Sequence, residues 1–208
     1  MYKDITGIIL SGGKSTRMGR NKSLLEINGK TAVQRIADLM QPVFTKVIVI
    51  SNTPGEYSLL GLPVHKDIYE YRGPLAGIHS GLKHSETDQN FVISVDMPLM
   101  TAEMIEYIID YKTPHPVTVC KADGFIQQLA GRYSKSLLNK AELILQENEE
   151  EMRSDKQIKR RCSVLRLLDE TGAEIIEAEK LDFYREGIFF NMNRPEDYRF
   201  ILSRLNYK

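Results

Sequence analysis

Apolar positions recur along this chain in two rhythms. Residues 5–10 (ITGIIL), 46–50 (KVIVI) and 91–95 (FVISV) are almost continuously apolar and rich in β-branched side chains, the pattern of strands covered on both faces. Between them the spacing widens to that of a helix. Val33, Ile36, Ala37 and Met40 share one face of residues 31–40, and Met104, Ile105, Ile108 and Ile109 share one face of residues 102–111. The same reading predicts strands at 63–65 and 117–120 and helices at 77–83 and 137–151. It predicts a helix running into a strand over 157–168, and a C-terminal helix over 195–205 with Pro195 at its first position. Strand alternating with helix at this spacing implies an α/β fold with a mostly parallel central sheet. No repeat, low-complexity tract or Pro- or Ser-rich linker interrupts residues 1–208, so one domain is expected.

Composition narrows the classes. At 208 residues and 42% apolar content the chain can bury a core without disulfide staples. Lys plus Arg equals Asp plus Glu, 28 each, so no net field draws in nucleic acid or an anionic membrane, and neither is expected as a partner. No apolar stretch approaches the roughly 18 residues of a membrane span, and no basic stretch followed by an apolar one opens the chain. The expected compartment is the cytoplasm. Cys120 and Cys162 have no partner Cys or His at zinc-ligand spacing and read as buried thiols. His65, His79, His84 and His115 have neither metal-ligand nor triad spacing. Ser11, Ser15 and Ser94 lack the nucleophile-elbow context, which argues against a serine hydrolase.

The candidate chemistry begins where the first strand ends, at Leu10-Ser11-Gly12-Gly13-Lys14-Ser15-Thr16-Arg17-Met18-Gly19, with Lys22 three residues on. Adjacent glycines permit close backbone approach to a ligand, and successive N–H groups in such a turn form an anion-binding concavity. Arg17 can fork onto phosphate oxygens and Lys22 adds a point charge. The P-loop pattern fails, since its first glycine would fall at Ile8, and the dinucleotide fingerprint is absent. From these residues alone a phosphate cradle and a glycine-rich turn with solvated cations both remain open.

The string resembles L/A-A-G-G-x-x-x-R-M-G-x-x-K, the signature of nucleotidyltransferases of the molybdenum cofactor guanylyltransferase type, with Ser11 in place of the usual Ala. Three other segments match in order. Asp96, in Ser94-Val95-Asp96-Met97-Pro98, falls on the family's metal-binding aspartate. Arg72-Gly73-Pro74-Leu75-Ala76-Gly77 resembles the family's G-P-L-A-G turn. Phe190-Asn191-Met192-Asn193-Arg194-Pro195-Glu196-Asp197 resembles its F-x-N-x-N-T-P-E-D segment, with Arg194 for Thr. Read without the family, Asn193 could equally cap the helix that follows. Gln127-Gln128-Leu129-Ala130-Gly131 matches more loosely, and Asn52 meets a further family position only with a shift of two places.

The resemblance implies a Rossmann-like three-layer fold of the nucleotide-diphospho-sugar transferase type. It also implies transfer of GMP from GTP to Mo-molybdopterin with release of pyrophosphate. It assigns Arg17, Lys22 and Asp96 to catalysis and Asp96 to Mg²⁺. Leu10, Ser11, Gly12, Gly13, Lys22, Asp67, Gly77 and Asp96 would bind nucleotide, and Asn191 and Asn193 the acceptor. Other proteins of molybdenum cofactor synthesis, or recipient molybdoenzymes, would be partners. A CTP-dependent cytidylyltransferase, a sugar-nucleotide synthetase and a non-catalytic nucleotide-binding adaptor remain alternatives.

Overall fold

The computed structural model describes residues 1–12, 21–70, 72–154 and 163–206, and the side chains of 148–154 and 206 are not among those described. In chain order, β1 (Tyr2–Leu10) is followed by a small hairpin, β2 (Glu26–Ile27) and β3 (Lys30–Thr31). Next come α1 (Ala32–Met40), β4 (Phe44–Ile50), β5 (Val64–His65), α2 (Pro74–His84), β6 (Gln89–Ser94) and α3 (Ala102–Asp110). The remainder is β7 (Val117–Ala122), β8 (Phe125–Ser134), α4 (Leu138–Ser154), α5 (Val164–Thr171), β9 (Glu174–Glu177) and α6 (Pro195–Asn206).

Seven strands form one sheet in the order β5-β4-β1-β6-β8-β7-β9. The pairings β5–β4, β4–β1, β1–β6 and β7–β9 are parallel, and β8 runs antiparallel to both β6 and β7. Successive side chains of a strand point to opposite faces, which divides the core in two. Ile9, Val49, Phe91 and Ile93 pack with α1 and α3, whereas Ile8, Ile48, Ile50 and Val92 pack with α2, α4 and α5. Helix, sheet and helix are therefore the three layers. Gly81 lets α2 lie close on the sheet, because a Cβ there would sit 2.6 Å from Ile8 Cγ2.

The apolar runs appear as strands for the reason their pattern implied: both faces are covered. The helix expected at 77–83 starts earlier, with Pro74 at its first turn after Gly73 at φ 80°. The sequence reading passed over β8. Its polar pair Gln127-Gln128 breaks the apolar alternation, yet Gln127 is 8% exposed and its amide donates to the carbonyls of Ala122 (3.1 Å) and Phe125 (3.4 Å). Asp123 and Gly124 turn this hairpin with φ of 53° and 77°, as a two-residue turn of the primed type requires. The segment expected to pass from helix to strand over 157–168 is helical at Val164–Thr171, and the strand follows only at Glu174–Glu177; residues 157–162 lie outside the described residues.

A third, small cluster matters for the site. Ile27 and Ala32, at the β2–β3 hairpin, pack with Met192 and with Ile201 of α6. The Tyr198 hydroxyl donates to the Glu26 carbonyl at 2.5 Å. The C-terminal segment is thereby fastened to the β2–β3 hairpin. Cys120 is buried, with its thiol pushed up to about 12 by desolvation, in keeping with an inert core residue; Cys162 lies outside the described residues.

Candidate active site

The carboxyl ends of three parallel strands are locked side by side. Leu10 pairs with Ile50 and with Ser94, the Ser11 N–H donates to the Ile50 carbonyl (2.9 Å), and the Val95 N–H donates to the Leu10 carbonyl (3.1 Å). The strand order reverses between β1 and β6, since the chain builds β4 and β5 on one side of β1 and returns to lay β6 on the other. Crevices outside strand ends at such a reversal are where open α/β sheets bind ligands. Gly12 and Asp96 both emerge there.

Asp96 is 6% exposed. Its Oδ2 accepts from Lys22 Nζ at 2.5 Å, while its Oδ1 is buried with no hydrogen-bond partner among the described residues. A buried carboxylate oxygen left unpaired is costly unless something else meets it. Lys22 Nζ also donates to Asn193 Oδ1 at 3.3 Å. The Met192 N–H donates to the Asp96 carbonyl at 2.8 Å, which pins the Asn-bearing segment to the Asp96 loop. Residues 74 and 171 positions away from Lys22 thus meet at its ammonium group.

Asn193 does not cap α6 with its side chain, as the sequence alone allowed. Asp197, in the first turn of α6, instead accepts through Oδ2 from the N–H groups of Asn193 (2.8 Å) and Arg194 (2.7 Å) just before the helix. This leaves the Asn193 amide turned towards Lys22. The Asn191 amide donates to the Phe189 carbonyl at 3.1 Å, a bond within its own segment.

A second carboxylate lies beyond β5. Asp67 Oδ2 accepts from Asn52 Nδ2 at 2.9 Å, Asn52 Oδ1 accepts from the Asp67 N–H at 3.3 Å, and Asp67 Oδ1 is buried without a partner among the described residues. Burial raises the Asp67 pKa above the usual carboxylate value, the Asn52 hydrogen bond opposes this, and the Glu70 charge adds to it. Gly77 of α2 is close by: a Cβ there would come 3.2 Å from Leu10 Cδ2 and 3.7 Å from Asp67 Oδ1. Asn52, which matched the family only with a shift, therefore stands beside Asp67.

Ser11 directs its polar atoms inward. Its hydroxyl, 3% exposed as a residue, lies 2.8 Å from Ser23 Oγ and 2.9 Å from the Tyr57 hydroxyl. Gly12 is exposed, and a Cβ built on it would meet nothing within 4 Å, so packing within the described residues does not account for the missing side chain. Gly13 and Arg17 lie outside the described residues. Tyr57 and Ser23 carried no sequence signal, because neither belongs to a motif and only folding brings them to the loop.

The donor set suits a divalent cation of the hard type. One carboxylate offers a bare, buried oxygen, and no group of three His, Cys, Asp or Glu residues among the described residues could form an all-protein cage. Such ions can be held by one carboxylate together with water and phosphate oxygens. No helix among the described residues is long and apolar enough to cross a membrane.

A lysine–aspartate pair at the reversal of a mostly parallel sheet places the chain among α/β proteins whose strand ends form a ligand crevice. Molybdopterin-guanine dinucleotide biosynthesis protein A from Archaeoglobus fulgidus shares the fold, with a TM-score of 0.80 over 98% of this chain and 100% of that chain at 21% identity. The chain belongs to the family described as the MobA-like NTP transferase domain, which matches residues 7–161. It is 30% identical to a protein of Carboxydothermus hydrogenoformans named as a probable molybdenum cofactor guanylyltransferase, with 99% of each chain covered. It is 33% identical to one of the same name from Clostridium perfringens, over 94% of this chain and 95% of that one.

Proposed function

We propose that this chain, acting as one catalytic domain in the cytoplasm, transfers GMP from GTP to Mo-molybdopterin and releases pyrophosphate. The observation that carries the reading is the buried Asp96 carboxylate, paired through one oxygen with Lys22 and bare at the other, at the reversal of a parallel sheet. A pure nucleotide binder has little use for that arrangement. The names of the relatives supply the base and the acceptor.

In this reading a phosphate oxygen of the acceptor attacks the α-phosphorus of GTP. The bond from that phosphorus to the bridging oxygen breaks, and its electron pair leaves with pyrophosphate. The chain contributes position and charge rather than covalent chemistry. Lys22, Arg17 and the N–H groups of Gly12 and Gly13 hold the triphosphate. Leu10, Ser11 and Gly77 shape the floor beneath the nucleoside, and Asp67 accepts hydrogen bonds from it. Asn191 and Asn193 meet the acceptor. Asp96 holds Mg²⁺, which when bound offsets charge building on the phosphate oxygens. A labile product would be passed on to other cofactor-synthesis proteins or to recipient molybdoenzymes.

The test is pyrophosphate release with Mg²⁺ and molybdopterin across GTP, CTP, UTP and ATP. Release with GTP alone supports the reading, release with CTP alone makes the chain a cytidylyltransferase, and no release with any of the four makes it a non-catalytic binder.

A further inference from the structure

Four polar side chains from three separate segments meet between Ser11 and Lys22. Ser11 follows β1, Asn21 and Ser23 flank Lys22, and Tyr57 lies in the 3-10 segment Pro54–Leu60 after β4. Tyr57 is 1% exposed, and Ser11 and Ser23 are 3% exposed each. The Ser11 hydroxyl lies between those of Ser23 (2.8 Å) and Tyr57 (2.9 Å), and with one hydrogen it donates to one and accepts from the other. Asn21 Nδ2 donates to the Tyr57 hydroxyl (3.2 Å) and to Glu56 Oε2 (2.6 Å), while Asn21 Oδ1 accepts from the Ser23 N–H (3.1 Å) and caps the turn that begins at Lys22.

We propose that Tyr57 is a positioning residue for nucleotide binding: through Ser11, Ser23 and Asn21 it sets the backbone at Ser11 and at Lys22 relative to Asp96. The inference rests on the functional reading above and extends it to residues that touch no substrate. Lys22 stands between Asn21 and Ser23, both tied to this network, so its ammonium cannot reach Asp96 and Asn193 in the same geometry if the turn shifts. Small displacements of a group that must meet a reacting phosphate cost rate and affinity steeply. The same 50–60 stretch also carries Asn52, the partner of Asp67. One segment after β4 thereby ties Ser11, Asn21 and Asp67 to a common frame.

The variant Tyr57→Phe removes the shared hydroxyl and keeps the buried ring. Ser11 keeps Ser23, and Asn21 keeps Glu56, so no member of the network loses its last partner. The experiment titrates GTP with Mg²⁺ into wild type, Tyr57→Phe and Ser23→Ala, follows thermal unfolding of each, and measures KM for GTP and for the acceptor separately. Positioning predicts that GTP affinity weakens about tenfold, the scale of one hydrogen bond's free energy, with KM for the acceptor unchanged. Ser23→Ala should follow the same split, which keeps the idea open to refutation should Tyr57→Phe fail to fold. A lower melting temperature with wild-type GTP affinity would reduce Tyr57 to a packing residue and overturn the inference. Failure of the wild type itself to bind any of the four triphosphates would overturn the functional reading, and the inference with it.

Discussion

Two loops on the same edge of the sheet carry a carboxylate each, and they are built differently. Asp96, after β6, gives one oxygen to the ammonium of Lys22 at 2.5 Å. Asp67, after β5, gives one oxygen to the neutral amide of Asn52 at 2.9 Å. Each leaves its other oxygen buried and unpartnered among the described residues. Asp96 thus has a charged partner and Asp67 a neutral one. Beside an amide and under desolvation the pKa of Asp67 rises, and what it offers is hydrogen bonding. The two carboxylates differ in what stands beside them, not in residue type.

Removing the first carboxylate should break the comparison most sharply. Asp96→Ala is expected to abolish turnover in a pyrophosphate-release assay, by about a thousandfold or more, while thermal unfolding shows the fold retained; near-wild-type turnover would sink the assignment. Lys22→Ala comes next, lowering kcat/KM for GTP by about two orders of magnitude, or about 3 kcal/mol of transition-state stabilisation. An effect confined to the acceptor KM would place Lys22 elsewhere.

Asp67→Asn tests the other side. It should raise KM for GTP about tenfold, the scale of a hydrogen bond lost to a substrate group, and leave kcat nearly unchanged. It should also stabilise the free protein slightly at neutral pH. Because the folded-state pKa of Asp67 is raised, its ionisation costs stability above that pKa, and the cost disappears as pH falls through it. The stability gap between variant and wild type should therefore narrow in acid denaturation profiles; a gap that widens would contradict the raised pKa. Smallest of all, Asn193→Ala should weaken acceptor and GTP kinetics by a few fold, since its bond to Lys22 is long at 3.3 Å and partly exposed pairs contribute little. An unchanged KM for both substrates would confine Asn193 to the loop.

Much of this was readable in the sequence. Runs such as FVISV at 91–95 and KVIVI at 46–50 announce strands whose two faces are covered, and the spacing of Met104, Ile105, Ile108 and Ile109 announces an inward helix face. The loop motif, Asp96 and the Asn191–Asn193 segment were marked by residue type at fixed offsets, because phosphate and metal chemistry demands particular groups. β8 escaped, since a strand inserted between β6 and β7 can tolerate a buried glutamine that its own hairpin satisfies. Asn52 was uncertain by two places, and its facing Asp67 settles only in three dimensions.

By itself, then, the sequence determined the α/β class and marked the glycine-rich segment after the first strand and the aspartate after the third long apolar strand, all from local periodicity and short motifs. Tertiary structure alone decided the pairing of Lys22 with Asp96 and Asn193, and the burial of Tyr57 against Ser11. Those contacts join residues from 46 to 171 positions apart. Distances of that kind are set by which strands become neighbours in the sheet, and no local pattern records them.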